Sequence, residues 1–233
     1  MTRALITCGA ISALFVASQV NAATITGKVV FSGTKPAVRN IDMSANPACQ
    51  RSHPSPQKTE TAVINNNGTV RYTFVWIKSG LPAGKTYPAP STHASINQQG
   101  CMYTPHVIGV MTNQPIDIKN EDPTNHNIHP LPKNNQEWNE SQPPKGDTKT
   151  KSFPREEVMI PVKCNVHPWM RAYIGVVHHP FFAVTGDDGS FTIKDLPAGT
   201  YTLEAWHETF GTMDQQVTVG ANDKKTVDIT YKK

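Results

Sequence analysis

Cys164-Asn165-Val166-His167-Pro168-Trp169-Met170 decides how the rest of this chain is read. Seven residues hold a thiol, an imidazole and a thioether. Soft and borderline donors of this kind suit a metal that shuttles between Cu(I) and Cu(II), and a trigonal His2Cys site with a weak axial Met needs one further histidine. Asp122-Pro123-Thr124-Asn125-His126-Asn127-Ile128-His129, upstream, can supply it. Residues 158–162 before the septet and 172–177 after it are apolar and β-branched, so the septet is expected to join two strands.

Outward from there, turn residues punctuate the chain. Nineteen prolines and fifteen glycines among 233 residues separate short alternating runs, and few stretches carry a helical apolar period. Residues 24–31, 69–77, 106–110, 116–120, 200–206, 216–219 and 225–231 read as strands. Asn65-Asn66-Asn67-Gly68 reads as a hairpin turn, as does Gly186-Asp187-Asp188-Gly189 between residues 182–185 and 190–193. Residues 34–58, rich in Pro, Asn and Ser, read as a long loop, and 133–151 as a loop or short hairpin. The expected fold class is all-β. Lys+Arg 22 against Asp+Glu 18 leaves no basic stripe of the kind nucleic-acid binding needs.

Residues 1–22 have the form of a cleaved signal peptide: Arg3, then an apolar run to Val20, then Val20-Asn21-Ala22 as the cleavage site. No later segment is long and apolar enough to span a membrane, so a periplasmic or secreted location is expected. Three cysteines then remain, Cys49, Cys101 and Cys164, in a compartment where disulfides persist. A Cys49–Cys101 disulfide leaves Cys164 as the odd thiol, which would oxidise unless a metal held it. A rival reading places Cys49, His53, Cys101 and His106 around a zinc ion.

His126-Asn127 together with Cys164 to Met170 resembles the cupredoxins, the type 1 blue-copper family with plastocyanin-like and amicyanin-like members. The spacing C-x2-H-x2-M is that of the short, amicyanin-like ligand loop. The resemblance covers roughly residues 98–178 and implies a Greek-key β-sandwich. A second resemblance flanks it. Ile25-Thr26-Gly27-Lys28-Val29 and Leu196-Pro197-Ala198-Gly199-Thr200-Tyr201-Thr202-Leu203 are similar to the carboxypeptidase regulatory-like, transthyretin-like β-sandwich, which carries no catalytic residues. The expected organisation is a signal peptide (1–22), strands of the second sandwich (23–97 and 179–233), and a copper domain (98–178) inserted in it or packed beside it.

The resemblance implies one type 1 copper ion held by His126, Cys164, His167 and Met170. His167 is expected to be the more exposed ligand and Met170 the long axial contact. A strand sends i and i+3 to opposite faces, so one of His126 and His129 points at Cys164. The His-Asn pair favours His126. Asn127 is then placed to hydrogen-bond across to the Cys164 loop, and His129 lies behind or beside the site. Pro168 and Trp169 are expected either to rim a docking surface or, for Trp169, to pack inward. His178-His179 reads as a linker and His207 as a strand-end residue. The implied function is single-electron transfer between transient redox partners, with no enzyme activity. Three alternatives stand beside it: copper delivery, an open-site copper enzyme, and a structural or carbohydrate-contacting module with a vestigial metal site.

Overall fold

A computed structural model describes residues 22–232, and the expected signal segment lies outside the described residues save for its last position. Seventeen strands and one five-residue helix make up the regular structure of the described residues, arranged as two β-sandwiches.

The first sandwich is built from both ends of the chain. In Ala23–Ser32, Ala23, Ile25, Val29 and Phe31 point inward while Thr24, Thr26 and Lys28 are more exposed, the period-2 pattern of a half-buried strand. Its partners are Ser190–Leu196 (antiparallel) and Lys224–Thr226 and Ile229–Lys232 (both parallel). The facing sheet runs Phe182–Val184, Phe74–Ser79, Gly199–His207, Gly211–Val219. Between the two sheets lies one apolar core that includes Ile25, Val75, Ile77, Phe191, Tyr201, Leu203 and Ile229.

The second sandwich holds the septet. One sheet runs Val107–Met111, Arg171–Val177, Glu157–Lys163, His126–Pro130, Glu140–Gln142. The other runs Met102–Thr104, Ala94–Gln99, Ile116–Asn120, Lys149–Lys151. Ile96, Ile116, Ile118, Ile128, Ile160, Val162 and Ile174 fill the space between, together with Cys164 and Met170.

Four expectations are corrected, three of them by long-range pairing. The division between residues 97 and 98 falls inside Ala94–Gln99, whose ladders to Met102–Thr104 and Ile116–Asn120 put the whole strand in the second sandwich. The turn at 186–189 forms, with Gly186 N–H donating to Ser190 O at 3.0 Å, but Phe182–Val184 and Ser190–Leu196 go to opposite sheets, so no hairpin ladder follows. The stretch 133–151 is no simple hairpin: Glu140–Gln142 pairs with His126–Pro130, while Lys149–Lys151 pairs with Ile116–Asn120 in the other sheet. The long loop at 34–58 contains the helix Pro47–Arg51. Asn46 caps it by accepting from Cys49 N–H, and Pro47 enters where its missing N–H costs nothing.

The sandwiches meet along Phe74 and Trp76 of the first and Val107, Met159 and Val177 of the second. Gly109 and Gly175 are register partners on adjacent parallel strands. A Cβ on Gly109 would stand 2.6 Å from the Phe74 and Phe182 rings, and one on Gly175 2.8 Å from Phe74. This glycine pair is the flat onto which the aromatic side chains of the first sandwich pack.

Candidate metal centre

The septet closes a hairpin tip. Lys163 and Arg171 face each other at the end of the ladder, Cys164 N–H donates to Met170 O (3.2 Å), and Met170 N–H donates to His167 O (3.0 Å). The loop is therefore fixed by its own backbone, and Cys164 and His167 turn to the same side. His126 arrives on the neighbouring strand, where Lys163 pairs with His129. Tyr103 straddles both strands, its hydroxyl 2.5 Å from Asn127 O and 3.1 Å from Lys163 O.

One ligand atom each from His126, Cys164 and His167 lies within 4.8 Å of the other two. The two Nδ1 atoms are 2.9 Å apart, and Cys164 Sγ is 3.9 Å from His167 Nδ1. One ion bound at about 2.1 Å to nitrogen and about 2.3 Å to sulfur spans both separations. Met170 is 0% exposed and belongs to the same apolar cluster as Cys164. The donor set therefore fits a soft or borderline metal ion.

The surroundings orient these groups and set their charges. His126 Nε2 is 2.8 Å from Asp122 Oδ2, and Asp122 in turn accepts from Gly100 N–H (2.6 Å) and Cys101 N–H (2.7 Å). A carboxylate on the remote nitrogen orients the ring and leaves Nδ1 facing the site. Burial opposes a charge on His126, but Asp122 and Cys164 outweigh it and raise its pKa. Burial likewise pushes the Cys164 thiol up, and His126 together with the loop amides brings it below its ordinary value. Burial and the neighbouring His126 hold His167 down at about 4, so it stays neutral at physiological pH. Asn127 Oδ1 accepts from Asn165 N–H (2.7 Å) and takes a 3.3 Å contact from Cys164 Sγ, tying the strand His126–Pro130 to the loop.

His129 stays outside the cluster. It contacts Asn165 Oδ1 (3.3 Å) and Glu137 Oε1 (2.6 Å) on the opposite side of its strand. Cys49 and Cys101 form a disulfide. His53 is occupied by Gly100 O at 2.6 Å, and His106 by Arg171 O and the Glu208 carboxylate, so the zinc arrangement does not assemble. His178 is exposed, whereas His179 and His207 are buried, the former against Ile77 O and the latter stacked on Phe210.

His167 is only 1% exposed, contrary to the expectation of an open ligand. The helix Pro47–Arg51 lies over it. Asn46 Nδ2 is 2.6 Å from His167 Nε2, and Cys49 Sγ is 3.5 Å away. Trp169 packs inward, its ring 5.2 Å from that of His167 and its Nε1–H donating to Cys101 O (3.0 Å). At the loop surface stand Pro168 and Val166, the latter 53% exposed. Sequence reasoning missed Asp122 and Asn46 as site residues. Asp122 had a local signal, four positions before His126, and Asn46 a weaker one, the helix-opening Asn-Pro step.

The fold and the site define an all-β protein of two sandwiches, one of them carrying a buried Cys/His cluster. Residues 171–232 match the carboxypeptidase regulatory-like domain. That match opens in the septet's outgoing strand and runs through the C-terminal strands of the first sandwich. Similar solved structures include a copper-containing nitrite reductase from Thermus scotoductus SA-01, 16% identical over 42% of this chain and 25% of that one, TM-score 0.35. A purple cupredoxin from Nitrosopumilus maritimus is 21% identical over 36% of this chain and 98% of its own, TM-score 0.31. A mutant of amicyanin in its Cu(I) form is 15% identical over 44% and 97%, TM-score 0.33. The comparison with curated proteins finds no match. Among the described residues no helix is long and apolar enough to cross a membrane.

Proposed function

We propose that the protein is an exported single-electron carrier with one type 1 copper ion held by His126, Cys164, His167 and Met170. The observation that carries this reading is the convergence of two buried Nδ1 atoms and one buried thiol sulfur, each residue with its own polar contact, to Asp122, Asn46 and Asn127 respectively. Copper supplies the redox couple when bound. The chain supplies a site whose ligands are held by loop backbone, Asp122 and Asn127, so their positions change little between oxidation states. With these four side chains to hold it, the ion would have no open position, which favours a carrier over an open-site enzyme. With His167 covered, the partner, a transiently docking redox protein, meets the loop at Val166 and Pro168.

Addition of Cu(II) to the purified protein tests this. The expected result is an intense blue or green colour, reversibly bleached by a one-electron reductant and abolished in Cys164→Ser. Colourless binding would sink the type 1 assignment and leave copper delivery. Met170→Leu should raise the mid-point potential, and no change would point to an open axial position.

A further inference from the structure

The Cys49–Cys101 disulfide lies against the metal centre. Cys49 Sγ contacts His167 Nε2 at 3.5 Å. Cys101, bonded to Cys49, donates its N–H to the Asp122 carboxylate that holds His126 and accepts from Trp169 Nε1 at its C=O. Ligand atoms of Cys49, Cys101 and His167 all lie within 4.8 Å of one another, and all three residues are buried. Metal ligation needs a thiolate, which a disulfide sulfur is not. The trio becomes a donor set only when the bridge is reduced.

We propose that reduction of the Cys49–Cys101 disulfide creates a second metal site, for Cu(I), from the two thiolates and His167 Nε2. The first centre uses Nδ1 of His167, so the imidazole lies between the two sites. Two thiolates and an imidazole form a soft set that suits Cu(I). The two Cα atoms are 5.5 Å apart. Rotating the side chains lets the sulfurs separate to about 4 Å around one ion at about 2.3 Å from each, with little backbone movement. Asn46, which now meets Nε2, turns its side chain aside to free that nitrogen for the ion. The reducing step is thiol–disulfide exchange with a dithiol. The dithiol gives two electrons and two protons, closes to its own disulfide, and leaves two thiols on the protein. Cu(I) then displaces the two thiol protons without changing oxidation state, and where the first site is filled as well the His167 N–H proton also leaves.

The test is made in Cys164→Ser, where the first centre is disabled. This protein is reduced with a phosphine, desalted without oxygen, and titrated with Cu(I) against bicinchoninate. The expected result is one equivalent of Cu(I) retained by the reduced form and none by the oxidised form. Cys49 and Cys101 should both be protected from iodoacetamide by the bound ion, as read by peptide mass spectrometry. Equal uptake before and after reduction, or Cu(I) uptake without protection of both thiols, overturns the proposal. Adding Cys49→Ser and Cys101→Ser should abolish the uptake. If that variant fails to fold, the alkylation footprint of reduced Cys164→Ser decides alone. The unsubstituted protein separates this site from the first. Retention of Cu(I) by its oxidised form, with none in reduced Cys164→Ser, overturns only the second site. The reverse pattern upholds the second and overturns the first.

Discussion

Asp122 does more for the buried Cys/His cluster than its place beside a proline announces. It holds His126 by the remote nitrogen and is itself fixed by two amides of the 100–101 turn. Asp122→Asn keeps the shape and removes the charge, so copper affinity should fall about 10–100-fold, as read by chelator competition, with the colour retained. Glu157 has a different task. Its carboxylate accepts from the amides of Lys133 (2.5 Å), Asn134 (3.0 Å) and Asn135 (3.1 Å), pinning the loop that follows the His126 strand. Burial raises its pKa, but these donors outweigh that and hold it below the ordinary value. Such a group stabilises the fold above its unfolded-state pKa, near 4.3, and the gain is lost as pH falls through the lower folded value. Glu157→Gln should therefore cost about 1–3 kcal/mol at pH 7. The difference in urea midpoints from the unsubstituted protein should vanish in strong acid. A gap that persists unchanged there would mean that packing, and not charge, is what the substitution removes.

At the scale of elements, the septet forms a hairpin tip whose shape is local and whose surroundings are not. Cys164 and His167 were legible as members of one cluster because their spacing lies within one loop, and the His126 strand because His-Asn follows a turn. The helix Pro47–Arg51 was not legible as a lid. Five residues give no periodicity to read, and what places the helix over His167 is the disulfide and two side-chain contacts. The Gly109–Gly175 pair was silent for the same kind of reason, since nothing in either strand's sequence says which rings lie above it. Gly175→Ala should overpack the seam against Phe74 and Met159 and lower stability by about 1–3 kcal/mol, measured by thermal or urea unfolding. A neutral effect would show that the seam rings move aside freely.

For the whole molecule, the first sandwich is completed only when strands from both ends of the chain meet around the second. The Cys49–Cys101 bond adds a covalent tie across a sequence separation of 52 residues. Chain-entropy reasoning assigns a loop of that length roughly 4 kcal/mol. Reduction should lower the unfolding free energy by up to that amount and expose the lid to proteolysis at residues 47–51. Cu(I) added to the reduced protein should recover part of it, since a ligand bound only by the folded state stabilises that state. An unchanged urea midpoint on reduction would mean that the lid is held without the bridge.

The sequence by itself determined the all-β class, the strand on each side of the septet, and the residue types of the His126, Cys164 and His167 cluster. Each of these rests on neighbours in the chain: period-2 burial, turn residues and ligand spacing. Only the tertiary structure decided that His126 and not His129 faces Cys164, that Ala94–Gln99 belongs to the inner sandwich, and that His167 is covered. Those outcomes depend on which distant segments share a ladder or a core, and pairing energies of that kind are set by three-dimensional neighbours.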